Sequence, residues 1–428
     1  MNTYTILGGI MQKILGGLLI MGTLIGCGQK DETRVLTFST WEGTGEQFFT
    51  DINDINTEYK KINPNVTIKI EKIPNTEYDT TMKIRNTAKQ LPDIFAIRNK
   101  HMYSYRDAVH DLSDLNASKI NTFAEPYKID GKVVGLPMYG FNEYVYYRKS
   151  VFNKLGLEVP QTWNEFLGVV ETINNSSDLI PLAIGGKDLW TTYPYGQFVP
   201  YLVENGDNLL NQMGDMNSPF TEGTSIYKGY EKVNQLFQLK PAGENPLGYG
   251  WSQEKNMFLS GKSAMIAVGQ WFYKDFMKDA SEEDKNDLGM FLMPVRDTKN
   301  DKFRYFVTGE VFLGVPKSTK HEKEAKEFIE WFFASNYYKD YINYMQVIPT
   351  VEGVELTDSP FKAVTDKVEN LEAVYQIPGG ENYTKIKNET RYDQNQLSQE
   401  LLSGSDFKQL MEEWNKKWND AKGKVVGR

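Results

Sequence analysis

Cysteine occurs once in the 428 residues, at Cys27, so the chain can build neither a disulfide framework nor a cysteine-based metal site. Histidine is nearly as scarce. His101, His110 and His321 stand in no H-E-x-x-H arrangement, and His321 falls in a charged stretch that reads as solvated helix. No G-x-S-x-G elbow, P-loop or dinucleotide glycine fingerprint stands out. No cofactor and no metal are therefore expected. Basic clusters are missing as well. With 48 Lys and Arg against 57 Asp and Glu the formal charge is −9, and such an acidic exterior argues against nucleic acid as a partner.

Apolar runs long enough to concern a membrane are limited to one. Residues 14–26 are Gly-rich and short for a spanning helix, follow Lys13, and end in Leu24-Ile25-Gly26-Cys27. That layout predicts a secretory signal over residues 1–26. Lys13 is the first charge, which makes Met11 a second candidate start. The Leu-x-Gly-Cys ending resembles a bacterial lipobox, with Ile25 bulkier than the residue usually found there. Lipidation of the Cys27 sulfur explains the sole cysteine better than a buried thiol does, and residues 27–33 read as lipidated Cys and polar tether. Loss of residues 1–26, which hold one Lys and no acid, leaves the chain one unit more acidic.

What remains has the composition of a soluble globular protein, 40% hydrophobic and 25% charged, with room for two or more domains. Aromatics reach 13%, with 25 Tyr and 8 Trp, enough to supply stacking platforms as well as large cores. Residues 34–41 read as a strand, and Phe48, Ile52, Ile55 and Tyr59 share one face of a following helix. Residues 66–70 alternate as a strand, a polar helix follows around residues 78–88, and residues 91–97 form an apolar run fit for a buried parallel strand. Strand, helix, strand, helix, strand opens a doubly wound α/β lobe. Ligands in such sheets sit beyond the carboxyl ends of strands, which points to Trp41, Glu42 and Asn99. A helix is expected from Ser318 with Ala325, Phe328, Ile329 and Phe332 on one side. Another carries Phe407, Leu410, Met411, Trp414 and Trp418 on one face, a spacing that assigns its two tryptophans to core packing.

The most informative stretch is residues 129–166. Asp130-Gly131 is a tight turn, and Val133-Val134 with Leu136-Pro137-Met138 a strand held to a sheet edge because Pro137 cannot donate to a ladder. Residues 143–148 form a second strand directly abutting the first. Thr162 and Glu165 make a capping box that opens a helix. The order D-G-K-V-x-G-L-P, Y-x-R-K-x-x-F-x-K-L-G-L and P-x-T-W-x-E-F resembles family 1 extracellular solute-binding proteins, the receptors of carbohydrate ABC importers. Arg148 departs from that text, which has Asn there. A second landmark, Gly261-Lys262-Ser263-Ala264-Met265 leading to Gly269-Gln270-Trp271, resembles the family's turn and strand before a cleft tryptophan.

The resemblance implies an α/β, two-lobed periplasmic-binding-protein-like fold, each lobe a mostly parallel sheet flanked by helices. Three hinge crossovers, near residues 139–141, 304–309 and 346–350, would join the lobes. Residues 34–139 with 309–349 would form the first lobe, and 140–308 with 350–428 the second. The implied function is a monomeric, extracytoplasmic receptor, lipid-anchored to the cell membrane. It would bind a sugar or oligosaccharide in the cleft and pass it to ABC-importer permease subunits, without catalysis. Trp271 is the expected main stacking platform, because the matching family residue stacks on sugar. Phe141 and Asn142 on the first crossover, Trp190 and Trp251 in second-lobe loops, and Glu310 beside the second crossover complete the candidate set. The alternatives are a secreted glycoside hydrolase, for which Glu42, Glu143 and Glu310 could supply paired carboxylates, and a glycan-binding surface protein without transport.

Overall fold

Apolar runs in the sequence become buried strands of two sheets in the computed structural model, which describes residues 33–426. Cys27 and the signal-like segment lie outside the described residues. The first five strands are β1 (Arg34–Trp41), β2 (Val66–Ile73), β3 (Ile94–Ile97), β4 (Leu136–Phe141) and β5 (Glu143–Arg148). The later ones are β6 (Ile180–Ala183), β7 (Ser263–Gly269), β8 (Leu288–Phe291), β9 (Phe303–Gly314) and β10 (Leu371–Tyr375). The first sheet has the order β10-β9-β3-β1-β2 with β4 also on β9, and the second the order β6-β7-β5-β8.

The β2-β1-β3 core of the first sheet is parallel, as the alternating strand-helix pattern requires. Around it the sheets are more mixed than expected. β9 runs antiparallel to β3 and β4, and β5 runs antiparallel to both β7 and β8, leaving β6 with β7 as the one parallel pair of the second sheet. The reason is local. Only Asn142 separates β4 from β5, so β5 enters its sheet straight from a crossover and not from a strand-helix-strand unit.

Three crossover segments are each held by backbone pairing. β4 passes into β5 through Asn142. β9 pairs with β10 over Phe303–Val307 and then with β4 from Thr308 onward. The third lies beside β4, where Gly140 and Ile348 exchange N–H···O bonds of 2.9 and 2.8 Å. Pro137 occupies an edge strand as its missing N–H demands, and its carbonyl accepts from Asn121 Nδ2 at 3.1 Å and Thr350 Oγ1 at 2.9 Å.

Local chemistry explains several element ends. Asp130 and Gly131 both take positive φ, closing the turn whose ends pair through Ile129 and Lys132. Thr162 accepts from Glu165 N–H at 3.3 Å, and the Glu165 carboxylate accepts from Gln161 N–H at 2.7 Å. Arg148, the departure from the family text, is buried. It donates to Asp284 at 2.7 Å and to the Phe258 carbonyl at 2.6 Å, tying β5 to the turn before β7.

Three expectations need correction. Ile52 is 59% exposed and off the apolar face, because the helix breaks at Asn53 and restarts under an Asp54 cap. The helix placed from Ser318 begins at Glu322, after a turn. Val133 and Val134 precede the strand, the Val133 backbone being held by Asp111 and Leu112. Trp414 and Trp418, by contrast, are buried against Phe220 and Tyr392, the latter ring 5.2 Å from Trp414 and 5.6 Å from Trp418. Replacing Trp418 by Ala should cost about 3–5 kcal/mol of folding stability. Equilibrium urea denaturation measures this, and a loss under about 1 kcal/mol would remove Trp418 from the core.

Candidate functional site

At the end of β7 the chain turns through Gln270 and Trp271 into the helix Phe272–Asp279. Gly269 cannot carry a side chain there: a Cβ would collide with the Trp271 indole and meet Phe141 at 3.0 Å. The indole therefore folds back over the strand end, half-buried. Trp190, on the single turn Leu189–Thr192, has its ring 6.2 Å from that of Trp271. Trp251, the first residue of the helix Trp251–Leu259, lies 5.2 Å from Trp190 and 5.5 Å from Trp271. Three tryptophans scattered through the sequence thus form one half-buried cluster.

Its loops are tied down. Asp188 accepts from Trp251 N–H at 2.7 Å, the Thr191 hydroxyl donates to the Gly185 carbonyl at 2.6 Å, and Glu254 accepts from Gly185 N–H at 2.9 Å. Tyr193, which sequence reading passed over, stacks against Trp190 at 6.2 Å and 20°. The W-T-T-Y run containing both was its only signal. Beyond Trp271, the Lys274 ammonium sits 5.6 Å from the ring centre of Tyr344, so this helix meets the helix Asn336–Met345 that packs on the first sheet.

On the first sheet, β1 ends in Trp41, buried edge-on against Tyr78 at 5.3 Å with the Arg98 guanidinium 3.9 Å above its ring. Arg98 donates to Asp79 at 2.8 Å and Asn75 at 2.6 Å, and approaches Glu310 at 3.9 Å. Asp79 also faces His101 at 3.1 Å and Lys100 at 3.4 Å. Burial alone would raise the Asp79 carboxyl, yet Arg98, His101 and Lys100 hold it well below the usual range. Burial pushes Glu310 up to about 7, with Arg98 only partly opposing. Burial likewise pushes His101 down to about 4 and, helped by Lys100, Lys387 down to about 8. Asp79 gave no signal in the sequence beyond being one acid among many.

The remaining candidates separate into two groups. Phe141 and Asn142 lie at the first crossover and are buried. Phe141 packs on Phe198 at 6.3 Å, and Asn142 N–H approaches the Gln270 amide oxygen at 3.4 Å. Asn99 is also buried and donates to Thr308 at 3.1 Å and to the Gln376 carbonyl at 2.8 Å, joining the first sheet to the second crossover. The Oδ1 atoms of Asn99 and Asn142 are buried without a partner among the described residues. Glu42 is exposed, and only its backbone is engaged, donating to Ile73 at 3.0 Å. The structure therefore assembles Trp190, Trp251 and Trp271, sets Trp41 and Glu310 together around Arg98, and leaves Glu42 apart.

Sequence comparison matches residues 44–337 to the family described as bacterial extracellular solute-binding protein. The chain belongs to that family. This solute-binding protein is 26% identical over 322 residues to the multiple sugar-binding protein of Streptococcus mutans, covering 72% of this chain and 74% of that one. It is 24% identical over 277 residues to the diacetylchitobiose binding protein DasA of Streptomyces coelicolor, covering 62% and 61%. Its fold matches that of the solute-binding protein RafE in complex with raffinose, with a TM-score of 0.74 at 22% identity over 91% of this chain and 100% of that one. It also matches a binding protein of an ABC transporter from Bifidobacterium animalis subsp. lactis in complex with mannobiose, with a TM-score of 0.76 at 19% identity over 92% and 96%. The two-lobed fold follows, and membership places the protein among extracellular binding proteins.

Glu310 holds its proton more tightly folded than unfolded. Its stabilising contribution is therefore complete below about pH 4.5 and is lost as the pH rises through about 7. Thermal denaturation scans across that window should fall less steeply for Glu310→Gln than for the wild type. Equal slopes would mean that Glu310 ionises as freely in the folded protein as in the unfolded chain.

Proposed function

We propose that this protein is a receptor for an oligosaccharide, taken into the cleft between its lobes and passed to the permease of an ABC importer. The observation that carries the reading is the cluster of Trp190, Trp251 and Trp271, with its half-buried rings at the end of β7. A sugar presents C–H faces that stack on indole and hydroxyl edges that need charged or amide partners. Arg98 and Glu310 supply such partners on the first lobe, and closure on a ligand touching both lobes would desolvate both sets. Residues 34–139 with 309–349 form the first lobe in this reading, and 140–308 with 350–428 the second. The relatives' names, a multiple sugar-binding protein and a diacetylchitobiose binding protein, support the ligand class.

Catalysis has no part in this reading. The buried carboxyls of the second lobe, Glu143 and Glu254, are both pushed by burial well above the usual range. A hydrolase would need facing carboxyls that reach the glycosidic bond. An oligosaccharide incubated with the protein should be recovered intact.

A thermal-shift panel of raffinose, mannobiose and diacetylchitobiose tests the ligand class, because ligand that binds only the folded state raises the melting temperature. With a sugar that scores, Trp271→Ala should weaken affinity by about 1–3 kcal/mol and leave the ligand-free melting temperature nearly unchanged. Unaltered affinity in the folded variant would remove Trp271 from the site.

The receptor is held at the membrane, in this proposal, by acyl chains on Cys27, which keeps it near its permease. In a host with lipoprotein processing, Cys27→Ala should move the protein from the membrane to the soluble fraction. A variant that sediments with membrane as the wild type does would contradict the anchor.

A further inference from the structure

Glu143 opens β5 immediately after the first crossover, and its cross-strand partner is Gly269, the last residue of β7. Only 5% of it is exposed, and neither carboxyl oxygen has a hydrogen bond of ordinary geometry among the described residues. It forms one wall of a small cavity with Pro194, Phe198, Met293 and Phe306. The Tyr193 hydroxyl lies within its reach. That hydroxyl accepts from Gly269 N–H at 2.7 Å, so its own proton is free to point at Glu143. Tyr193 in turn stacks on Trp190, and Gly269 is the surface on which the Trp271 indole rests.

We propose that Glu143 is the positioning residue of the aromatic platform, acting through the Tyr193 hydroxyl to hold Trp190 and Trp271 in register. Tyr193 ties the strand end to the rings: its oxygen pins the end of β7, and its ring backs Trp190. Glu143 fixes which way that hydroxyl turns. The other titratable neighbours that face Glu143 are Tyr146, Tyr195 and Glu254, all of them acids. Arg304, on the cavity wall, is committed to Glu372 at 2.8 Å and to the Val203 carbonyl at 3.1 Å. With no cation to offset a charge, burial holds the Glu143 carboxyl in its neutral form well above the usual carboxyl range. A neutral carboxyl accepts a hydrogen bond from the Tyr193 hydroxyl through one oxygen without placing a charge beneath the rings. Ionisation at alkaline pH would leave that charge uncompensated, and the platform would loosen.

The role of the platform in binding rests on the sugar reading above, so the test uses a readout that needs no sugar. Acrylamide quenching of tryptophan emission is measured on the ligand-free full-length protein from neutral to alkaline pH, with far-UV circular dichroism reporting that it stays folded. Wild-type quenching should rise on the alkaline side. Glu143→Gln, whose amide oxygen accepts a hydrogen bond from the Tyr193 hydroxyl but cannot ionise, should keep the neutral-pH value throughout. Glu143→Leu should already be more quenched at neutral pH, and this excess should shrink in a Trp190→Phe background. If Glu143→Leu does not fold, Tyr193→Phe, which removes only the hydroxyl, should show the same excess.

Wild-type quenching in both Glu143→Leu and Tyr193→Phe would overturn the proposal. So would an alkaline rise in Glu143→Gln equal to that of the wild type. Raffinose or mannobiose, whichever the wild type binds, should bind about tenfold more weakly to Glu143→Leu and unchanged to Glu143→Gln. A wild type that binds none of raffinose, mannobiose and diacetylchitobiose would count against the sugar reading, while the quenching result would still decide the role of Glu143.

Discussion

Backbone hydrogen bonds must be satisfied wherever a strand changes partners or the chain crosses between sheets, and the architecture of this protein follows from how its crossovers meet that demand. β9 is the clearest case. Its first half pairs with β10 and its second with β4, so the strand changes partners in mid-course at Val307–Thr308 without leaving a gap. Thr308 sits at that exchange, receiving Asn99 on one side and donating to Gln376 at 3.2 Å on the other. The third segment is sewn to the first by Gly140, Ile348 and Thr350. Crossovers held this closely position everything beside them, including the end of β7.

The side-chain clusters of the two sheets are chemically unequal. The second sheet contributes rings: Trp190, Trp251, Trp271 and Tyr193, braced from below by Asp188, Glu254 and the bare backbone of Gly269. The first sheet contributes charge, with Arg98 laid flat on Trp41 and reaching toward Asp79 and Glu310. Indole rings are stiff and lose little conformational entropy on binding, so under the proposed reading this platform suits the flat faces of a sugar. The ionic network pins the Arg98 guanidinium, and a charge fixed in place before binding carries a smaller reorganisation cost.

Burial runs through both halves. It drives Glu310 upward against Arg98, and it raises Glu143 and Glu254 where no cation stands by. The same desolvation is overcome at Asp79, where three basic neighbours converge. Carboxyls of one chemical type thus reach opposite protonation preferences within one molecule, decided by which partners the fold brings within reach.

The sequence by itself determined the elements and the family. The period-two and apolar runs marked β1, β2 and β3, the resemblance at residues 261–271 marked β7, and the missing N–H of Pro137 placed β4 at an edge. The spacing of Phe407 to Trp418 assigned two tryptophans to the core, and the text around residues 129–166 and 261–271 carried the resemblance. Those features are local, because periodicity, capping and turn chemistry act within a few residues. Tertiary structure alone decided the rest. It bent the helix away from Ile52, turned β5 and β8 antiparallel to their neighbours, and brought Trp190, Trp251 and Trp271 into one cluster. It also put Asn99 among Thr308 and Gln376 while leaving Glu42 in solvent. Each of these depends on contacts between residues far apart in the chain, and a pattern read along one dimension holds no record of which distant side chains share a wall.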